Sequence, residues 1–186
     1  LLYFDQKRFK DFRKSIRGGI PILFPICGNL PGNLLSLPQG KFTLNQHGFA
    51  RDVPWNLTML DNEQGILLSF EDTNLTRSIY PFSFRLEMEA ILCSSALDIR
   101  VKVQNRDVVV MPFSFGLHPY FSVSSLNNVR LEGLSERCLN HFDMSYGKTS
   151  DQLGRLSSGV DFLTWPNGAV TLIDELLGTK IQLIHK

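Results

Sequence analysis

The sequence predicts an all-β fold, a large antiparallel β-sandwich. Apolar and polar residues alternate with period two in two adjacent runs, turn signals separate many short runs of this kind, and no stretch shows sustained helical periodicity capped at both ends. In the first run Phe84, Leu86, Met88, Ala90 and Leu92 alternate with Arg85, Glu87, Glu89 and Ile91. In the second, Leu97, Ile99, Val101 and Val103 alternate with Asp98, Arg100, Lys102 and Gln104. Each run has one apolar and one mainly polar face, as half-buried antiparallel strands do. Ser94-Ser95 turns the chain between them. Asn62-Glu63-Gln64-Gly65 likewise joins strands predicted at 55–60 and 66–70, with Gly supplying a positive φ. Further strands are predicted at 108–115, 129–131, 160–163, 169–173 and 180–184, with a turn at Asn105-Arg106-Asp107. Residues 28–40 read as a loop, and 145–159 as a polar surface loop. The opening Leu1-Leu2-Tyr3-Phe4-Asp5 and the closing 180–186 both read as interrupted strands, so residues are expected beyond both ends.

The chain has 186 residues and no Gly-, Ser- or Pro-rich linker, which predicts a single domain over 1–186, incomplete at both termini. Hydrophobic residues make up 43% and charged residues 20%, a balance that supports a packed core and argues against disorder. The formal net charge of +1 lacks the basic excess of a nucleic-acid binder. The basic cluster Lys7-Arg8-Phe9-Lys10 with Arg13, Lys14 and Arg17 is interrupted by Asp5 and Asp11 and reads mostly as a solvated loop. Cys27, Cys93 and Cys138 are far apart, with no CxxC spacing, so they suggest neither a zinc site nor a disulfide framework. An odd cysteine count, no apolar run of membrane-spanning length and no visible signal peptide predict a cytoplasmic protein without a membrane partner. GxSxG, P-loop and GxGxxG motifs do not occur.

Three segments break the strand pattern. In Arg17-Gly18-Gly19-Ile20-Pro21 the Gly pair permits close backbone approach to a ligand, and the Arg offers a fork of donors to phosphate or sugar hydroxyls. On composition alone, a bent edge strand with a surface Arg is the reading these residues favour. Gln46-His47-Gly48-Phe49-Ala50-Arg51 places a His and an Arg in an apolar neighbourhood, and a hydrogen-bonded loop histidine is the alternative. In Gly116-Leu117-His118-Pro119-Tyr120-Phe121 the proline favours an extended His118 beside aromatic residues. That position suits proton transfer, or a satisfied core histidine.

Taken in order, these segments resemble the aldose 1-epimerase (galactose mutarotase-like) superfamily, and most closely its hexose-6-phosphate mutarotase branch. The matching pieces are Ile16-Arg17-Gly18-Gly19-Ile20-Pro21-Ile22-Leu23-Phe24-Pro25, Gln46-His47-Gly48-Phe49-Ala50-Arg51 with Trp55, Gly116-Leu117-His118-Pro119-Tyr120-Phe121 and, more weakly, Gly159-Val160-Asp161-Phe162. The resemblance implies a β-sandwich enzyme that interconverts the α and β anomers of a hexose or hexose 6-phosphate, without cofactor or metal. It implies that His118 is the general acid on the ring oxygen and that His47 holds the substrate and polarises its reacting hydroxyls. Asp161 would bind sugar hydroxyls, and Arg17 and Arg51 would lie near a phosphate. The family's general base is a glutamate on a late strand. Glu132 comes too early to match it and Glu175 falls in a turn, so the base is expected beyond Lys186. Without that base, a non-catalytic carbohydrate-binding or regulatory module is the alternative. An unrelated all-β interaction protein would instead hold its two histidines far apart.

Overall fold

The computed structural model describes residues 1–11, 17–60 and 64–185. Arg13, Lys14, Ser15, Ile16, Asn62, Glu63 and Lys186, which figure in the sequence reading, lie outside the described residues. The chain forms two compact units, Gly18–Pro119 and the pair of segments Leu1–Arg17 and Tyr120–Lys186.

In Gly18–Pro119 the strands are β1 (Ile22–Leu23), β2 (Leu34–Leu37), β3 (Gly40–Thr43), β4 (Asn56–Met59), β5 (Gly65–Glu71), β6 (Phe84–Leu92), β7 (Leu97–Asn105) and β8 (Gly116–Leu117). Four of them form an antiparallel meander in the order β4-β5-β6-β7, β2 pairs β3, and β1 pairs β8. The predicted alternation sets the register. Phe84, Leu86 and Met88 turn inward and are buried, whereas Arg85, Glu87 and Glu89 turn outward. There Glu87 faces Lys102 and Glu89 faces Arg100 across the β6–β7 ladder, with ion-pair distances of 3.5 and 3.7 Å. Such exposed cross-strand pairs contribute at most about 1 kcal/mol each.

The core of this unit is aromatic. The Phe24 ring lies 5.1 Å from Phe84, 5.9 Å from Tyr80, 5.8 Å from Phe113 and 6.1 Å from Phe49. Burying each large aromatic side chain stabilises the fold by roughly 1.5–3 kcal/mol. A short helix, Asn74–Ile79, precedes β6. The Thr73 hydroxyl accepts the Thr76 N–H, and the Thr76 hydroxyl accepts the Thr73 N–H, a reciprocal cap. The helix stops at Tyr80, extended because Pro81 follows.

The other unit contains β9 (Val129–Glu132), β10 (Arg137–Asn140), β11 (Ser145–Lys148), β12 (Phe162–Thr164), β13 (Val170–Asp174) and β14 (Thr179–Leu183). They form two antiparallel three-stranded sheets, β11-β10-β12 and β14-β13-β9. Asp174, almost fully buried, ends β13. Its carboxylate accepts the Ser124 N–H at 2.6 Å and the Ser124 hydroxyl at 2.7 Å, and these bonds, the backbone one first, hold it below the usual carboxylate range.

Four local expectations are corrected. Residues 108–115 form no strand: Val108 is fully exposed, and the backbone satisfies itself irregularly, with Val109 C=O accepting from the Asn105 side chain and Ser114 N–H donating to Pro25 C=O. The loop predicted over 28–40 contains β2, because Leu34–Leu37 pairs with Gly40–Thr43 across a tight turn. The polar segment 145–159 contains β11 and the helix Thr149–Leu153. The opening residues make an isolated bridge, Leu2 to Phe121, in place of a strand.

Candidate active site

His47 stands in a loop that the aromatic core holds by its backbone. Phe49 N–H and Ala50 N–H both donate to the Phe24 carbonyl, at 3.0 and 3.3 Å, and Gly48 bridges Phe24. Gly48 has φ +72°, and a Cβ there would lie 2.1 Å from the Phe24 carbonyl oxygen, so only glycine fits. His47 itself is left-handed, with φ +67°, a conformation that costs a non-glycine residue about 1–2 kcal/mol. Two hydrogen bonds to Gly28 offset the cost. His47 N–H donates to the Gly28 carbonyl at 2.9 Å, and Gly28 N–H donates to His47 Nδ1 at 2.9 Å. A ring nitrogen that accepts carries no proton, so the neutral imidazole bears its hydrogen on Nε2. Burial first, and then the charges of Arg51 and His118, hold the imidazole below its ordinary pKa. His47 is therefore set up as a neutral Nε2–H donor.

His118 follows β8 directly. Its N–H donates to the Pro21 carbonyl at 3.0 Å, which extends the β1–β8 pairing to the residue before Pro119. The side chain is exposed, and its ring centroid lies 6.2 Å from that of His47, with the ring planes at 70°. The expectation of an unrelated protein with its two imidazoles far apart is thus excluded by distance. Arg51, on a single 3-10 turn after the His47 loop, donates from Nη2 to the Gln46 carbonyl at 3.2 Å and lies 3.5 Å from Asp52. The structure brings His47, His118 and Arg51 together in Gly18–Pro119.

The remaining two predicted residues belong to the other unit. Arg17 donates from Nη1 to the Tyr120 hydroxyl at 3.2 Å. Asp161, just before β12, lies 2.9 Å from His141 Nδ1 through Oδ1, and His141 N–H donates to the Asp161 carbonyl at 2.9 Å. Sequence reasoning missed the partners. Gly28 fixes the His47 tautomer from 19 residues upstream, and His141 meets Asp161 across a β10–β12 pairing that no local spacing reveals. Tyr120 lies inside the third motif, and its partnership with Arg17 had no separate signal. Glu132 and Glu175 are both taken up by Arg130, at 3.2 and 3.4 Å. Among the described residues, no three His, Cys, Asp or Glu side chains converge as a metal site requires, and no helix is long and apolar enough to cross a membrane.

Comparison with known proteins identifies the family. The Aldose 1-epimerase family model matches residues 3–155. A Salmonella typhimurium protein named "Putative glucose-6-phosphate 1-epimerase" is 27% identical over 177 residues, an alignment covering 92% of this chain and 55% of that protein. The crystal structure of the Slr1438 protein from Synechocystis sp. PCC 6803 superposes with a TM-score of 0.91 at 34% identity, covering 97% of this chain and 64% of that one. A galactose mutarotase related enzyme from Lactobacillus acidophilus shares the fold, with a TM-score of 0.71 at 22% identity over 84% of this chain and 59% of that chain. The chain thus spans little more than half the length of its curated relative. A family match over most of the sequence, an antiparallel β architecture of the galactose mutarotase type and motifs in matching order together make this chain a member of the aldose 1-epimerase family.

Proposed function

We propose that the protein is a mutarotase that interconverts the α and β anomers of a hexose 6-phosphate, within one mutarotase-like domain, by acid/base ring opening. The observation that carries this reading is the histidine pair: two imidazoles 6.2 Å apart, one of them bonded so that Nδ1 accepts. An anomer inverts only through the open chain. A proton goes to the ring oxygen, the C1 hydroxyl loses its proton, and the bond between C1 and the ring oxygen breaks as the C1 carbonyl forms. Rotation about C1–C2 and the reverse transfers close the opposite anomer. His118, exposed and fixed through its backbone, delivers the proton to the ring oxygen, and His47 donates its Nε2–H to a hydroxyl beside the reacting carbon. A positioned acid of this kind accelerates such a step roughly 10²–10⁴-fold. The proton from the C1 hydroxyl goes to a carboxylate, and the two glutamates weighed for that role, Glu132 and Glu175, are already paired with Arg130.

Arg51 and Arg17 favour a phosphorylated sugar, because guanidinium forks match phosphate oxygens, and Asp161 accepts from sugar hydroxyls. The name carried by the Salmonella typhimurium relative supports the same substrate class. A cytoplasmic location is supported by three free thiols, Cys27, Cys93 and Cys138. Because neither glutamate matches the base, one second reading is a sugar-binding module without anomer exchange. NMR exchange spectroscopy on glucose 6-phosphate and galactose, with full-length protein and a His118→Ala variant, separates the two. Faster α/β exchange that disappears in the variant supports the mutarotase, and the better sugar shows whether the arginines serve a phosphate. Binding without acceleration on either sugar overturns it in favour of the module.

A further inference from the structure

The turn that carries Gly28 is itself held by the segment that carries His118. Ser114 N–H donates to the Pro25 carbonyl at 2.9 Å, and the Ser114 hydroxyl accepts the Cys27 N–H at 2.9 Å. The next residue along the turn, Gly28, makes both bonds to His47. Two residues beyond Ser114, Gly116 packs so closely on Cys27 that a Cβ there would lie 2.9 Å from the Cys27 sulfur. One stretch of chain, Ser114 to His118, therefore positions one imidazole through its own backbone and braces the turn that sets the proton of the other.

We propose that Ser114 is a positioning residue: by holding the Cys27 N–H, its hydroxyl keeps Gly28 against His47 and so keeps the imidazole as an Nε2–H donor. The inference rests on the reading of His47 as a participant in anomer exchange, but the bond network stands apart from it. Ser114 is exposed and touches no sugar-binding group named above, so its loss acts through Gly28. When the Gly28 N–H drifts from Nδ1, that nitrogen is free to take a proton. Both tautomers then populate, and protonation becomes easier against the opposing charges of Arg51 and His118.

The test follows the imidazole nitrogens of the full chain by 15N NMR across pH, without substrate, in the native protein and in Ser114→Ala and Ser114→Thr. The native His47 is expected to show an unprotonated Nδ1 and a protonated Nε2. Ser114→Ala is expected to mix the tautomers and raise the His47 titration midpoint, and Ser114→Thr, which keeps the hydroxyl, to restore both. With glucose 6-phosphate, kcat is expected to fall about two- to tenfold in Ser114→Ala, the loss of one hydrogen bond, with KM little changed. A Ser114→Ala protein whose His47 tautomer and midpoint match the native ones overturns the proposal. If the ring signature moves while the native protein accelerates no anomer exchange, the positioning role stands and the catalytic reading of His47 falls.

Discussion

The two units hold their candidate groups by different means. In Gly18–Pro119, His47 and His118 are fixed through the main chain: His47 by Gly28 on one side and the Phe24-anchored loop on the other, His118 by Pro21. In the second unit, the side chains of Arg17 and Asp161 bond to other side chains, Tyr120 and His141, while their carbonyls accept the Asp5 and His141 N–H groups, and the Asp161 side chain is 62% exposed. The difference fits the two tasks proposed for them. His47 must present one nitrogen in one protonation state, and its main-chain bond from Gly28 enforces that. A group that accepts from sugar hydroxyls can adjust on binding, so a solvated pair suffices.

The contrast can be broken most sharply at His118. His118→Ala is expected to lower the rate of anomer exchange by about 10²–10⁴-fold while leaving the thermal midpoint nearly unchanged, since the side chain is exposed. Gly48→Ala should do the reverse and act on stability first. A Cβ forced to within 2.1 Å of the Phe24 carbonyl, in a left-handed backbone, is expected to cost about 1–3 kcal/mol in urea denaturation. A smaller effect comes from acid. His47 is held below its ordinary value, so the unfolded chain binds that proton more tightly than the folded one. Its contribution is therefore complete above the unfolded value of about 6.5, falls as the pH drops from there through the lowered native value, and levels off below it. Denaturation midpoints at pH 7.5 and 5.5 should differ in this direction, and the difference should shrink in His47→Asn. The smallest effect belongs to the second unit: His141→Ala should change stability by less than about 1 kcal/mol, because the pair with Asp161 is exposed. A destabilisation of several kcal/mol in that variant would erase the contrast between the units.

Much of the fold was legible because period two leaves little choice. The β6–β7 hairpin has the predicted bounds to within a residue, since a one-residue slip would turn Phe84, Leu86 and Met88 outward. The run 108–115 was misread because apolar composition alone does not make a ladder, and here Val108 and Val110 point to solvent while the neighbouring hydrogen bonds go to Asn105 and Pro25. The closeness of His47 and His118 was implied by family motifs but not by their spacing of 71 positions. What no pattern revealed was the tautomer. It depends on a main-chain N–H from a glycine loop, and a backbone donor has no residue-type signature.

Phe24 joins the interior to the loop that carries His47. Its ring touches four other aromatics, it has no exposed surface, and its carbonyl takes two N–H groups from the loop after His47. The loop is therefore expected to open only when the aromatic cluster comes apart. Heat inactivation should then follow global unfolding in a single step, and the Phe49 amide should exchange with solvent as slowly as the centre of β6.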